Sequence, residues 1–320
     1  MFILRKTGAA STFWRNFTIM IDLSQIATEV ANPATASIDT LSSIEMLKLI
    51  NSEDQKVALA IEPVLPVISQ VVDLIAKSLR QGGRLFYIGA GTSGRLGILD
   101  AVECPPTFGT DPELVQGIIA GGYNAIFKAV EGAEDSPELA AKDLKERKFT
   151  HKDILVGIAA SGRTPYTLSA LEYAKSIGAV AVSLTCSPAS PMEKAADYSI
   201  VVQPGPEVIT GSTRLKAGTA QKMVLNMLST GAMIKLGKVY GNLMVDVKSS
   251  NQKLSQRAIN IVTKATDCDR LTATAALDQA EGNAKLAIFH ILSEKPIDEA
   301  KFLLEQADGY IGLAIKNLKK

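Results

Sequence analysis

The fold of this chain follows from one stretch of sequence, Gly89-Ala90-Gly91-Thr92-Ser93-Gly94-Arg95. A buried-strand pattern, Arg84–Ile88, comes directly before it, and a helical pattern begins near Ser93. A glycine-rich turn between a strand and a helix can bind phosphate, because free backbone N–H groups at the helix start point at the anion and the helix dipole favours it. Thr92 and Ser93 add hydroxyl donors. The stretch therefore indicates an α/β fold with an anion site at the start of a helix.

The same stretch also has the spacing of the dinucleotide-binding fingerprint, with glycines at positions 89, 91 and 94. That fingerprint is weak by itself and is accompanied by an acidic residue about 20 residues further on, after the next strand. The next strand pattern, Val115–Ala120, instead runs into Gly121-Gly122. The sequence therefore favours a sugar phosphate over a nucleotide, and a nicotinamide-binding titration would separate the two.

The strand pattern recurs downstream and alternates with helical patterns. Further strands are predicted over Asp153–Ala159, Val180–Leu184 and Tyr198–Val202. Alternating strands and helices are typical of a parallel sheet that is covered by helices on both faces. We therefore predict an α/β fold of this kind.

The helical patterns differ in length along the chain. Apolar residues recur at helical spacing from Ile44 to Leu79, with breaks near Asn51 and at Pro63–Pro66. A long helix is predicted over Thr213–Leu236. After about Leu254 the patterns are short and amphipathic: Ala258–Lys264, Leu271–Gln279, Asn283–Leu292 and Ile297–Gln306.

Three divisions of the chain are predicted. Residues 1–20 carry the cations Arg5, Lys6 and Arg15, no acid and no sustained apolar core, so they do not have the pattern of a signal peptide. They are interpreted as a loose extension or as a start codon placed too early, with a transit peptide as the weaker alternative. Residues 21–250 are expected to form the α/β domain with its N-terminal helices, and residues 251–320 a small all-helical domain.

The composition of the 320 residues bounds the function. The formal net charge is +1, which gives no overall attraction to nucleic acid or to a membrane surface, and no apolar run approaches the about 20 residues of a membrane span. The three cysteines and two histidines have neither metal-site nor disulfide spacing. We therefore expect no metal site, no nucleic-acid or membrane partner and a reducing, cytoplasmic location.

Two further segments repeat the chemistry of the first turn. Ser161-Gly162-Arg163-Thr164 follows the third strand, and the segment 207–219 is rich in hydroxyls and cations, with Lys222 one turn later. Each segment is also explained by an ordinary turn or a capped helix. The first turn and the loop Ser161–Thr164, however, both follow strands of one parallel sheet, and such a pair fits a ligand site at a topological switch point. The predicted binding residues are Gly91, Thr92, Ser93, Ser161, Gly162, Arg163, Thr164, Glu207, Ser212 and Lys222.

Two acidic sites are candidates for proton transfer. Glu103 precedes Cys104-Pro105-Pro106, and because the residue before a proline is pushed out of the α region, we predict that the helix ends there. At a helix C-terminus the dipole favours the protonated carboxyl, which suits a general acid. The second site is the loop Glu131-Gly132-Ala133-Glu134-Asp135, in which Glu131 or Glu134 could reach a substrate. Cys104 has no histidine nearby and is interpreted as a buried, inert thiol.

Together these segments resemble the N-acetylmuramic acid 6-phosphate etherases, a family within the sugar isomerase (SIS) superfamily of phosphosugar-binding domains. The matching text is YIGAGTSGRLGILDAVECPPTFG, IAGG, AVEGAEDS, GIAASGRTPYTLSALEYAK, EVITGSTRLKAGTAQKMVLNMLSTG and KVYGNLMVDV. The resemblance runs from about Ile21 to the C-terminal helices. The phosphate loops are shared across the superfamily, whereas the ECPP and EGAED segments are much more specific to the etherases. A SIS-type sheet with a helical C-terminal domain is the implied fold.

The resemblance also implies a reaction: cleavage of the D-lactyl ether of N-acetylmuramic acid 6-phosphate, by elimination and then addition of water, without a metal or redox cofactor. Glu103 would protonate the departing lactate oxygen, and Glu134 would be the base at C2. Ser93, Ser161 and Thr164 would bind phosphate, with Gly91 and Thr92 lining the first loop. A homodimer is implied as well.

Two other functions stay open within the same superfamily. One is a non-catalytic phosphosugar sensor, like the relative that regulates glucokinase, and the presence of both Glu103 and Glu134 argues against it. The other is an aldose–ketose isomerase, which also removes a C2 proton. The ECPP glutamate favours the etherase over the isomerase.

Overall fold

A computed structural model describes residues 27–246 and 252–319 of the chain. Its centre is a parallel sheet of five strands in the order β2-β1-β3-β4-β5. The strands are β1 (Leu85–Gly89), β2 (Val115–Ile119), β3 (Ile154–Ile158), β4 (Val180–Thr185) and β5 (Tyr198–Val201). Each lies within one or two residues of its predicted position, so the predicted α/β fold is confirmed.

Eight α-helices and three short 3-10 helices accompany this sheet among the described residues. The α-helices are α1 (Ser43–Ile61), α2 (Leu65–Arg80), α3 (Gly91–Phe108), α4 (Asn124–Phe127), α5 (Pro137–Glu146), α6 (Pro165–Ser176), α7 (Pro191–Ala195) and α8 (Lys216–Lys235). The break at Pro63–Pro66 is confirmed, but the break near Asn51 is wrong. Asn51 is exposed on α1 and its side chain accepts a hydrogen bond from Gln55 one turn later, so the helix continues through it.

The end of α3 also differs from the prediction. The helix runs through Pro105 and Pro106 to Phe108 and ends at Gly109, which adopts a left-handed conformation (φ 63°) and donates its N–H to the Pro105 carbonyl. The restriction before a proline disfavours helix without forbidding it, and here only the last turn is affected. Glu103 therefore lies one turn before the end of α3, beyond the reach of the terminal dipole that the prediction invoked.

The two faces of the sheet are covered by different helices. Leu85 and Tyr87 of β1 point into a core shared with α1, α2, α3 and α8. Phe86 and Ile88, which alternate with them, point into a second core shared with α5, α6 and α7. The strands are almost wholly buried because both faces are packed, as in other parallel sheets.

The C-terminal part of the chain forms a separate helical core. It contains α9 (Gln252–Thr266), α10 (Arg270–Gln279), α11 (Ala284–Ser293), α12 (Ile297–Gln306) and α13 (Ile311–Leu318), of which α13 was not predicted. An antiparallel pair, β6 (Val239–Tyr240) and β7 (Leu243–Met244), packs against this core. The helical core thus includes residues upstream of the predicted boundary at 250–251, and the boundary itself lies outside the described residues.

The helical domain contacts one end of the α/β domain. The Arg80 side chain, at the end of α2, donates to the Lys235 carbonyl and to the Tyr310 hydroxyl. Asp246 accepts from both Lys238 and Lys285 at 2.8 Å. These contacts lie where α2 and α8 end, so the helical domain is attached at the far end of these helices.

One described segment, Ser43–Arg80, has the length and composition that a membrane span needs. It consists of the two helices α1 and α2, and Ile68, Val71 and Ile75 of α2 are buried in the core beneath the sheet. α2 is therefore packed as a core helix. The predicted extension at residues 1–20 lies outside the described residues.

Candidate active site

A cavity of about 390 Å³ opens at the carboxyl ends of β1 and β3. The chain leaves these neighbouring strands in opposite directions, to β2 on one side and to β4 on the other, which makes their junction the topological switch point of the sheet. The cavity is lined by Thr28, Glu29, Ala90, Gly91, Thr92, Ser93, Glu134, Asp135, Ile158, Ala159, Ala160, Ser161, Arg163, Thr164, Pro165 and Thr213. The two hydroxyl-rich loops and the EGAED loop therefore meet at one place.

The first loop is held close to the sheet by glycines. A Cβ on Gly94 would lie 2.7 Å from the Gly89 carbonyl oxygen and 2.7 Å from Cγ1 of Ile119, so only glycine lets α3 approach β1 and β2 this closely. Gly91 has a φ of 53°, a left-handed conformation that favours glycine. The result is that the first residues of α3 line the cavity, and the free N–H groups of a helix start can bind an anion.

Within this loop the Ser93 hydroxyl points away from the cavity. It donates to Oε1 of Gln221 on α8, at 2.9 Å, and Ser93 is only 8% exposed. Ser93 lines the cavity, as predicted, but its hydroxyl proton is engaged elsewhere. Thr92, the neighbouring hydroxyl, is the more exposed of the two.

The second loop supplies Ser161, Arg163 and Thr164 to the cavity, and α6 begins just after it. Gly162 does not line the cavity. Its φ is 66°, and a Cβ there would lie 2.4 Å from the Ser190 hydroxyl, so Gly162 is needed for the turn. The helix starts of α3 and α6 thus converge on one cavity.

Glu134 is brought to the second loop by the backbone. Its carbonyl accepts the N–H of Tyr166, in the first turn of α6, at 3.0 Å. The Tyr166 hydroxyl donates to Asp143 of α5 at 2.5 Å, and burial together with that carboxylate raises its pKa well above the ordinary range. Tyr166 therefore stays neutral and fixes the EGAED loop against the start of α6.

Besides Gly162, four predicted site residues lie outside the cavity. Glu103 is exposed, about 18 Å along α3 from Gly91. Glu207 is buried, and its carboxylate accepts the backbone N–H groups of Lys216 and Ala217 at 2.9 Å, so it caps α8. Ser212 and the exposed Lys222 do not line the cavity either. The sequence correctly indicated a helix start near Glu207. The Glu207 carboxylate, however, caps that helix and does not line the cavity.

One wall of the cavity was missed by sequence reasoning. Thr28 and Glu29 come from the start of the described chain and line the cavity together with the loops. Asn32 donates to the Pro206 carbonyl at 3.3 Å and Thr35 to the Val208 carbonyl at 2.8 Å, which ties this segment to the loop before α8. The segment carries no strand, glycine-rich turn or motif that could have indicated its place.

A buried ion pair supports the start of α8. Lys216 is fully buried and its ammonium lies 2.6 Å from Glu53 of α1. Burial raises the pKa of Glu53, but hydrogen bonds and charge from Lys216 and Lys56 outweigh it and lower the pKa to about 2. The pair and the Glu207 cap fix α8 next to Thr213, which lines the cavity.

Cys104 is buried on α3, and its thiol donates to the Asp100 carbonyl. Burial and the nearby Asp100 raise its pKa to about 12. The predicted inert character of this thiol agrees with these surroundings, because a thiol in this state supplies almost no thiolate at neutral pH.

A parallel sheet with a switch-point cavity occurs in several α/β folds, and matches to family models assign this one to the SIS class. Residues 67–175 match the N-terminal SIS domain of glucokinase regulatory protein, residues 136–231 match the SIS domain, and residues 241–304 match the C-terminal lid domain of glucokinase regulatory protein.

Curated relatives identify the family. The chain is 60% identical over 291 residues to the N-acetylmuramic acid 6-phosphate etherase of Photorhabdus laumondii, covering 91% of this chain and 97% of that protein. It is 58% identical over 297 residues to that of Aliivibrio fischeri, covering 93% and 99%. The chain belongs to the N-acetylmuramic acid 6-phosphate etherase family.

Among solved structures, a putative phosphosugar isomerase from Bacteroides fragilis aligns with a TM-score of 0.48 at 20% identity, over 60% of this chain and 91% of that one. A putative sugar-phosphate isomerase from Listeria monocytogenes aligns with a TM-score of 0.45 at 19% identity, over 61% and 92%.

Proposed function

We propose that this chain cleaves the D-lactyl ether of N-acetylmuramic acid 6-phosphate, a carbon–oxygen lyase reaction that consumes water and releases N-acetylglucosamine 6-phosphate and D-lactate. The observation that carries the proposal is that two hydroxyl-rich loops and Glu134 line one cavity. The 58–60% identity to etherases over nearly their whole length supports it. We place the enzyme in cytoplasmic amino-sugar catabolism and peptidoglycan recycling.

The phosphate is held at the second loop. Ser161 and Thr164 carry hydroxyl donors, Arg163 carries a cation, and the first N–H groups of α6 face the same space. A phosphate at this point gains from the helix dipole as well as from hydrogen bonds to charged oxygen, which are stronger than neutral ones. Gly91 and Thr92 of the first loop contact it from the other side.

The chemistry takes place on the open-chain sugar, where the C2 proton is acidic because it is α to the C1 aldehyde. Glu134 removes this proton, and the electron pair passes through the enolate to expel the lactyl oxygen from C3. The departing oxygen takes a proton from a general acid and leaves as D-lactate. Water then adds to C3 of the unsaturated aldehyde while C2 is reprotonated, so one water is consumed for each lactate released.

Glu103 is the general acid, and in our proposal it comes from a second copy of the chain. Leu99, Val102 and Glu103 form an exposed stripe on α3, with Leu99 at the middle of the helix. A two-fold axis near this point would set two α3 helices antiparallel. Measured along the axis of α3, Glu103 of the second copy would then lie only about 8 Å from the start of the helix. Glu103 of the same chain lies about 18 Å from that point.

The helical domain supports the same arrangement. It is attached where α2 and α8 end, about 30 Å along α8 from the cavity of its own chain. In a two-fold partner, α2 and α8 run in the opposite direction. The partner's helical domain would therefore lie towards the cavity of the first chain. A homodimer therefore explains why the proposed acid, Glu103, and the domain matched by a lid model both lie far from the cavity in one chain.

The activity is tested by incubating the purified protein with N-acetylmuramic acid 6-phosphate and assaying free D-lactate. We expect release that Glu103→Gln abolishes. Glu134→Gln is expected to keep phosphosugar binding and to lose exchange of the C2 proton with solvent deuterium. Full exchange in that variant would remove Glu134 as the base.

The shared site is tested by mixing the two inactive variants, Glu103→Gln and Glu134→Gln. If each site combines Glu134 of one copy with Glu103 of the other, a mixed dimer has one intact site, and an equal mixture recovers about a quarter of the wild-type activity. If both glutamates act within one chain, the mixture stays inactive after subunit exchange.

Two segments match models of glucokinase regulatory protein, but the identity to etherases over nearly the whole chain favours the etherase over a phosphosugar sensor. Thermal stabilisation by N-acetylmuramic acid 6-phosphate without lactate release would favour that function over the etherase.

A further inference from the structure

The contact between Ser93 and Gln221 has an unusual feature. Gln221 lies on α8, is 1% exposed, and accepts the Ser93 hydroxyl proton on Oε1. Its Nε2 is also buried, and it has no hydrogen-bond partner among the described residues. A buried amide nitrogen carries two N–H donors, and leaving them unpaired costs free energy that a native core normally avoids.

The opposite orientation of this amide changes which way the serine proton points. With Nε2 towards Ser93, one N–H donates to the serine oxygen, and fewer buried donors are left unpaired. The serine can no longer donate to Gln221, so its O–H is free to turn to the cavity that Ser93 lines. The terminal torsion of glutamine is broad and roughly two-fold, so both orientations are sterically accessible.

We propose that Gln221 is a positioning residue that controls the direction of the Ser93 hydroxyl. Without an anion, Ser93 donates to Oε1 of Gln221. When the phosphate of the substrate arrives, the amide turns, Nε2 donates to the serine oxygen, and the serine proton is donated to a phosphate oxygen. The driving force is the exchange of a neutral hydrogen bond for a charge-assisted one. The turn also pairs one buried N–H of Gln221 but takes the serine proton from its Oε1, and these two changes oppose each other. This inference rests on the proposed function, since it requires the phosphate held at the second loop to contact the first loop as well.

The test is a double-mutant cycle on binding of N-acetylglucosamine 6-phosphate, measured by calorimetry. Gln221→Met keeps the length of the side chain and removes the amide, and we expect about tenfold weaker binding. Ser93→Ala should weaken binding by a similar factor. If Gln221 acts through Ser93, the double variant is no weaker than Ser93→Ala alone, whereas full additivity of the two effects would overturn the proposal.

Gln221→Glu gives a second, independent measurement. A carboxylate can only accept, so it keeps the serine proton turned away from the cavity, and we expect weaker binding than in Gln221→Met. In the Ser93→Ala background this difference should shrink to the part due to the added charge, which falls with rising salt. An unchanged affinity in either Gln221 variant would overturn the proposal.

Ser229→Ala is the matched control. Ser229 is also buried on α8 and donates across to α3, at Asp100, but it does not line the cavity. It should leave binding unchanged, so a general loosening of the α3–α8 contact is distinguished from the loss of Gln221. Failure of the wild-type protein to bind the sugar phosphate would refute the proposed function, whereas normal wild-type binding and lactate release with an unaffected Gln221→Met would refute this inference alone.

Discussion

Lys216 and Glu53 form a buried pair whose loss is expected to be costly. Glu53→Gln removes the partner of an ammonium that is fully buried, and breaking such a pair typically costs about 3–5 kcal/mol. The Lys56 side chain, 56% exposed, pairs with the same carboxylate from the surface. Urea unfolding should therefore show a large loss for Glu53→Gln and about 1 kcal/mol or less for Lys56→Gln. Equal losses of unfolding free energy in the two variants would contradict the view that the buried pair with Lys216 is the costly one.

The same carboxylate predicts how stability depends on pH. Its folded pKa is lowered from 4.5 to about 2, so the stabilisation is fully present above pH 4.5 and is lost as the pH falls towards 2. The urea midpoint of the wild-type protein should fall over this window more steeply than that of Glu53→Gln. Parallel curves for the two proteins would show that Glu53 titrates normally.

Glu29 is expected to contact the substrate, because it lines the cavity and a carboxylate can accept hydroxyl or amide protons of the sugar. Loss of one such charged hydrogen bond predicts that Glu29→Ala raises KM about tenfold. Asp39→Ala, an exposed acid of the same segment that does not line this cavity, is the control. Steady-state assays in which the two variants behave alike would place Glu29 outside the site.

The approach of α3 to the sheet sets the position of the first loop. Gly94→Ala forces a Cβ against the Gly89 carbonyl and Ile119, and overpacking of this kind costs about 1–3 kcal/mol. Because α3 must shift, KM for the sugar phosphate should rise as well. Gly312→Ala on α13 is the control, since nothing lies within 4 Å of its Cβ, and it should be neutral or slightly stabilising. Thermal unfolding and KM together check both expectations.

The local pattern of the sequence is sufficient for the strands and for the loops that follow them. β1 and β3 were predicted from buried apolar runs, and the meeting of the Ser93 and Ser161 loops follows from the parallel order of the strands. The end of α3 was not predictable in this way, because a proline preference is a bias that one final turn can overcome.

Roles that depend on distant partners could not be read from spacing. Glu207 has the composition of a binding segment, yet its carboxylate is used by the backbone of Lys216 and Ala217. Ser93 is in the predicted loop, but the direction of its hydroxyl depends on Gln221, which is 128 residues away. Such contacts require the packing of α8 on α3, which no local pattern contains.

The two domains are joined through Asp246, which is paired with Lys238 and with the mostly buried Lys285. Burial lowers the pKa of Lys285, and the charge of Asp246 opposes that shift. Asp246→Ala leaves this ammonium without its partner and should destabilise the attachment of the helical domain by about 2 kcal/mol. Scanning calorimetry should then show an earlier or separate transition, which Asp278→Ala, an exposed acid on α10, should not produce. A single unshifted transition would contradict this role.

The wall formed by Thr28 and Glu29 has a consequence for co-translational folding. Asn32 and Thr35 bond to carbonyls 174 and 173 residues later in the chain. A nascent chain that has just emerged as far as β5 already contains every strand of the sheet, but it does not yet contain the attachment points of this wall. Contacts of such long sequence separation form slowly. The polypeptide therefore contains all five strands of the sheet before its binding site can close, and a chain arrested at that stage would be unable to hold its ligand.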